Sequence, residues 1–127
     1  METSCSTISR LNPDLVVCRY KPGAKVDHAS ARENLLARMA FPGEAPHAVV
    51  TIFPKDAVVD LSLFDEDQYA DDRVQARTRL LAFVAECKEM HAAIHHYFAC
   101  RPTHINKRVF CSEPAALAWV GKELAAI

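Results

Sequence analysis

The sequence predicts an α/β protein: a mixed, mostly parallel five-stranded sheet with helices packed on it, in the order β-β-α-β-α-β-α-β-α. Three observations predict this. Ala48–Phe53 and Leu80–Ala85 are nearly continuous apolar runs, the pattern of strands covered on both faces. Segments with apolar residues at helical spacing alternate with such runs, which implies a parallel sheet with right-handed crossovers. At the N-terminus, two short segments flank a turn and read as a hairpin, which adds one antiparallel strand at the sheet edge.

The elements follow in order. Thr3–Leu11 is a strand candidate, Asn12-Pro13-Asp14 is a turn in which Pro presets φ, and Leu15–Tyr20 alternates with β-rich composition. Lys21-Pro22-Gly23 ends the hairpin. Asp27 is an N-cap for a helix from His28 to about Ala40. Ala31, Leu35 and Met39 form its apolar stripe, with Leu36 and Ala40 beside it, while Arg32, Glu33 and Arg38 point elsewhere. Phe41-Pro42-Gly43 breaks this helix, and Pro46 closes the connection to the strand Ala48–Phe53. Residues Pro54 to Asp72 are acidic and irregular, with a short apolar insert, Val58-Val59. A helix is predicted from about Asp67 to Arg79, its acidic start suiting the positive end of the helix dipole. After the strand Leu80–Ala85, the segment Lys88–Cys100 is helical, with Met90, Ile94, Tyr97 and Phe98 on one face, and Arg101-Pro102 ends it. Lys107–Cys111 is a short strand. Ser112 and Pro114 open a last helix, Glu113 to about Leu124, whose stripe is Ala116, Leu117, Val120 and Leu124, with Trp119 on the flank.

A chain of 127 residues is read as one domain, 1–127. Apolar residues make up 50% and charged residues 24%, a globular composition that excludes intrinsic disorder. Fifteen basic against sixteen acidic residues give a formal charge of −1, so no global field points to nucleic acid or to a membrane surface. Met1–Pro13 holds no apolar stretch of signal-peptide length, and the runs Leu80–Ala85 and Ala115–Val120 are too short to cross a bilayer. A cytoplasmic protein without a membrane span is expected. The five cysteines (Cys5, Cys18, Cys87, Cys100, Cys111) contain no C-x-x-C, which excludes a zinc ribbon and a thioredoxin motif. They read as thiols in a reducing compartment.

Few residues suggest chemistry. Cys87, His91 and His95 fall on one helical stripe, the spacing of metal ligands. The stripe lacks the Glu of H-E-x-x-H and reads as the border of an ordinary apolar face, so no metal is assigned. Cys87 and Cys111 sit where a strand gives way to a helix, a place that can activate a thiol. No acid is spaced to orient His91, and no glycine follows either cysteine, so no catalytic residue is assigned. Asp56, Asp60, Asp65, Glu66, Asp67, Asp71 and Asp72 read as a solvated acidic loop without the mid-loop glycine of an EF-hand. Basic residues are dispersed, not gathered into a nucleic-acid stripe. Walker A, G-x-G-x-x-G and G-x-S-x-G motifs are absent. The expectation is a non-enzyme without a cofactor. In open α/β sheets ligands bind at the carboxyl ends of the strands. Here these are Pro54–Asp65, Ala85–Cys87 and Cys111–Glu113, which makes Asp60, Ser62, Asp65, Cys87 and Ser112 the candidate binding residues.

Three stretches carry a family resemblance: Arg108-Val109-Phe110-Cys111-Ser112-Glu113-Pro114-Ala115-Ala116-Leu117-Ala118-Trp119-Val120; Leu80–Ala85 followed by a helix ending in Tyr97-Phe98; and Asp60-Leu61-Ser62 before an acidic loop. With the element order, they resemble the SpoIIAA-like group of STAS-like domains over roughly Leu15 to Lys122. The resemblance implies the anti-sigma-factor-antagonist fold and a non-enzymatic regulatory or protein-interaction module. It also implies a partner kinase that phosphorylates a Ser or Thr in a motif like Asp-Ser-Ser-Gly-apolar-Gly. The corresponding stretch here is Asp60-Leu61-Ser62-Leu63-Phe64-Asp65, where Ser62 is the one hydroxyl and neither glycine is present. The group is also compared with lipid-transfer folds of the CRAL-TRIO type. The leading reading is thus an interaction module, a homodimer with the edge strand and the flank around Trp119 as its interface. The alternative is a small-molecule or lipid-binding domain with a pocket at the carboxyl ends of the strands. An apolar pocket would favour the alternative; convergence of Cys87, His91 and His95 would favour an enzyme or metalloprotein.

Overall fold

In the computed structural model, which describes residues 1–41, 45–64 and 67–126, the N-terminal hairpin is present as β1 (Ser6–Asn12) and β2 (Leu15–Tyr20). β1 starts later than the expected Thr3. The Thr3 hydroxyl accepts from the Cys5 N–H at 3.3 Å and the Ser6 N–H at 2.9 Å, which turns residues 3–6 into a side-chain-closed turn. Helix α1 (His28–Met39) begins at the predicted cap: Asp27 accepts from the Ser30 N–H at 2.8 Å, and the Ser30 hydroxyl accepts from the Asp27 N–H at 3.0 Å.

The remaining large elements are β4 (His47–Phe53), α2 (Asp72–Arg77), β6 (Thr78–Ala85), α3 (Lys88–Cys100), β7 (Asn106–Phe110) and α4 (Glu113–Ala125). A second, two-residue parallel pairing joins β3 (Lys25–Val26) to β5 (Val58–Val59), and a 3₁₀ turn follows at Leu61–Phe64. Strands of two residues carry no periodicity, so the sequence shows only the apolar insert Val58-Val59.

The predicted helix over 67–79 is corrected to the short α2. Asp67 accepts from the Tyr69 N–H at 2.9 Å and so closes a separate turn. Asp71 is the actual cap, accepting from the Arg73 N–H at 2.8 Å. At the other end, Thr78 leaves the helix with an extended backbone, and its hydroxyl donates to the Val74 carbonyl at 2.6 Å. Arg79 therefore belongs to β6.

The five-stranded sheet has the order β1-β2-β4-β6-β7, with β1 antiparallel to β2 and every other pairing parallel. The parallel strands are added in sequence order in one direction. With right-handed crossovers, the connecting helices then fall on one face. That face packs Val16, Val49, Leu81 and Phe83 with Met90 and Ile94 of α3. α4 follows the last strand and covers the opposite face, where Val50, Ala82 and Val84 meet Ala116 and Val120. Along β6 the side chains alternate between the two clusters, as a strand covered on both sides requires.

α1 departs from its predicted phase. Its buried residues are Ser30, Asn34 and Arg38, whereas Leu36, expected beside the stripe, is 57% exposed. The helix is rotated by about 100°, one residue's worth, from the face its aliphatic side chains suggest. The buried stripe is held by partners elsewhere in the chain. Ser30 serves in the cap, the Asn34 side-chain carbonyl accepts from the Ser6 hydroxyl of β1, and Arg38 bonds His47 of β4.

Candidate functional site

Between the sheet and the helices α1 and α3 lies a cavity of about 90 Å³. Its walls are mainly apolar, with Tyr20, Phe53, Phe83, Ile94 and Phe98 among them. The space is half open to its surroundings. Tyr20 stacks on Phe53 at 5.1 Å and Phe83 meets Phe98 at 5.5 Å, so the walls are built from aromatic pairs on β2, β4, β6 and α3.

The polar side chains of this lining are Asn34, Thr51, Arg38 and Gln68, and the last two carry buried polar atoms without a partner among the described residues. Arg38 is 3% exposed. A guanidinium only donates, so its Nη1 donates to His47 Nε2 at 3.1 Å, and the His47 proton sits on Nδ1, which donates to the Ala45 carbonyl at 3.3 Å. Among the described residues Nη2 is buried without a hydrogen-bond partner and no carboxylate lies within ion-pair distance of Arg38. Burial pulls the Arg38 guanidinium below its usual range, yet arginine remains a cation in proteins. Gln68 is the second. Its backbone N–H donates to the Tyr97 hydroxyl at 2.6 Å and its Nε2 donates to His28 Nδ1 at 2.9 Å, while Oε1 is buried without a partner among the described residues. Nearby, burial pushes the Cys18 thiol up to about 11, so it stays neutral. Burial likewise raises the Tyr20 and Tyr69 phenols.

The His47 pKa is held below its ordinary 6.5, first by burial and then by the Arg38 charge. Arg10 and Arg77 add to the lowering, and the Ala45 carbonyl opposes it. The unfolded chain therefore takes up a proton near pH 6.5 that the native protein does not bind. By linkage, the stability that His47 contributes is complete above that pH and is lost as the pH falls below it. Urea midpoints measured from about pH 7.5 to about pH 5.5 are expected to drop in the native protein. His47→Gln keeps an acceptor for Arg38 and does not titrate, so the same series is expected to be flatter in that variant.

The residues singled out from sequence are helix caps and turn formers. Asp60 accepts from the Ser62 N–H at 2.9 Å and pairs with Lys25 at 3.1 Å, which together lower its carboxyl pKa. The Ser62 hydroxyl accepts from the His28 N–H at 3.2 Å, at the start of α1. Cys87 caps α3, its Sγ accepting from the Met90 N–H at 3.3 Å and donating to Glu89 at 3.3 Å. Ser112 caps α4, accepting from the Ala115 N–H at 3.3 Å. Asp65 lies outside the described residues. Asp60 and Ser62 are joined; Cys87 and Ser112 serve helices on opposite faces of the sheet. None of the four lines the cavity.

His91 and His95 lie 5.0 Å apart ring to ring, and among the described residues no three His, Cys, Asp or Glu side chains are grouped to hold a metal ion. Trp119 is half-buried against Phe110, 5.6 Å between ring centres. Among the described residues, no helix is long and apolar enough to cross a membrane.

Sequence reasoning missed Arg38, His47 and Gln68. The available signal was the polar spacing Ser30, Asn34, Arg38 at every fourth position. The same spacing describes a solvated face, so it does not by itself announce burial.

In comparisons with solved structures, the chain is similar to an uncharacterized protein of the DUF3478 family from Shewanella loihica PV-4, described as having a SpoIIAA-like fold. The TM-score is 0.56 at 13% identity, over 94% of this chain and 98% of that one. No protein-family model and no curated protein matches the chain. The architecture is thus SpoIIAA-like, as the motifs around Leu80 and Arg108 suggest.

Proposed function

On this SpoIIAA-like fold we propose a non-enzymatic small-molecule-binding domain whose site is the cavity between α1, α3 and the sheet. The observation that carries the reading is the cavity itself: about 90 Å³ of mainly apolar space at the heart of the larger core cluster. Occupancy of such a pocket by a ligand stabilises the folded state by mass action. The interaction-module reading rests on the resemblance to STAS-like domains. Among the described residues the large exposed apolar side chains (Met1, Leu11, Leu36 and Val58) sit singly on four different segments, which is ordinary for a protein surface.

The test is native mass spectrometry of protein purified gently from its own host, followed by its denatured mass. A small mass excess that disappears on denaturation is the expected result. A bare mass would return the interaction module, with its homodimer and protein partner, to first place.

A further inference from the structure

We infer that a groove between α3 and β7 is a second binding site, one for an amphipathic monoanion: an aliphatic chain of medium length that ends in a single carboxylate. The inference goes beyond the cavity reading and does not depend on it. β7 is an edge of the sheet, with no strand beyond it among the described residues. Leu80–Ala85 of β6 are all buried, whereas every residue of β7 is half-buried or exposed. The cover over β6 thus thins out toward the edge, and a half-open groove of about 390 Å³ remains there. It shares Phe83, Ile94 and Phe98 with the cavity wall, but His95, Lys107, Arg108 and Val109 line the groove and not the cavity.

The lining divides into an apolar part and a basic part. Phe83, Ile94, Phe98 and Val109 belong to or pack against the larger core cluster and present hydrocarbon. The ionisable members are His95, Lys107 and Arg108, and no carboxylate lines the groove. Arg108 stacks over Phe110, 5.2 Å from its ring centre, on the α4 side of the sheet. Lys107 points the other way, as alternation along a strand requires, and its Nζ lies 5.2 Å from the centre of the Phe98 ring, a wall of the groove. Nζ donates to the Thr103 carbonyl at 3.2 Å, one use of an ammonium that carries three donors. Among the described residues no carboxylate pairs with it. One cation at the wall of an apolar groove matches one anionic head on an apolar chain. Lys107 is half-buried and keeps access to water, so the chain supplies most of the affinity and the ammonium selects the sign of the head.

An engineered cavity of about 150 Å³ holds benzene, so about 390 Å³ takes up to about fifteen non-hydrogen atoms. Octanoate is smaller than this limit and is the probe of choice. The experiment follows backbone amide shifts of the full chain during titration with sodium butyrate, hexanoate and octanoate, and with octanamide and octylammonium chloride. Octanoate is expected to shift His95, Lys107 and Val109 saturably, and more than Tyr20 and Thr51, which line the cavity and not the groove. Each added methylene is expected to tighten binding by about threefold. Octanamide is expected to bind about three- to tenfold more weakly than octanoate, and octylammonium more weakly still. Lys107→Met is expected to lose octanoate by the same factor while binding octanamide as the native chain does, which separates a lost charge from a damaged groove. Lys107→Glu is expected to reverse the order, with octylammonium tighter than octanoate.

Octanamide or octylammonium binding the native chain as tightly as octanoate, or an unchanged octanoate affinity in Lys107→Met, overturns the anionic head. Butyrate binding as tightly as octanoate overturns the apolar chain. Saturable shifts at Tyr20 and Thr51 without shifts at His95 and Val109, or no saturable shift at all, overturns the groove as the site. Failure of the groove leaves the cavity reading standing, because Tyr20 and Thr51 report on the cavity separately.

Discussion

Replacing Arg38 by Met and His47 by Leu together is expected to raise the stability of the ligand-free protein by about 1–3 kcal/mol, read as a Tm increase of roughly 3–10 °C. Arg38 is buried, donates to His47 and leaves Nη2 without an acceptor among the described residues. Removing one member of such a pair strands the other, whereas removing both in favour of apolar groups of similar size restores ordinary packing. The single change His47→Leu is therefore expected to cost about 2–3 kcal/mol, since it takes from the guanidinium its side-chain acceptor. The two sites touch, so their effects are expected not to add, and a double-mutant cycle measures the difference. If the double variant were less stable than the native chain, the guanidinium would be compensated in the free protein.

The fold was legible where packing leaves a mark on composition. Ala48–Phe53 and Leu80–Ala85 are apolar on both alternations because α4 covers one face and α1 and α3 the other, and no other environment demands this of a strand. Caps were equally legible: Asp27 and Ser112 start the helices that they were expected to start. Two features were not. The acidic stretch 67–72 divides into a turn closed by Asp67 and a cap at Asp71, and both use the residue type that also favours a helix start. α1 carries aliphatic residues on one flank and a polar stripe on the face it buries, so a periodicity argument follows the wrong set. The candidate binding residues carry a related ambiguity. Asp, Ser and Cys at strand-to-helix junctions are the residues expected for binding and for capping alike, and Asp60, Ser62, Cys87 and Ser112 all satisfy backbone N–H groups. The residues that line the cavity with unmet polar atoms are instead a cation expected at the surface and a glutamine in the acidic segment.

Leu81→Ala is expected to cost about 2.7–5 kcal/mol, and Leu36→Ala to lie within about 0.5 kcal/mol of the native chain, both measured by urea denaturation. Leu81 is 1% exposed on the central strand β6, so truncation removes contacts and leaves a hole that flanking strands cannot close. Leu36 has the same chemistry but is 57% exposed, so there is little burial to lose. The contrast reports more than burial, because it fixes the rotation of α1 on the sheet. Ser30, Asn34 and Arg38 are buried only if Leu36 faces water, since positions 36 and 38 differ by about 200° around a helix. A loss at Leu36 comparable to that at Leu81 would place the aliphatic flank of α1 on the sheet. The same rotation would carry Arg38 toward solvent, where its charge needs no partner, and away from the cavity lining.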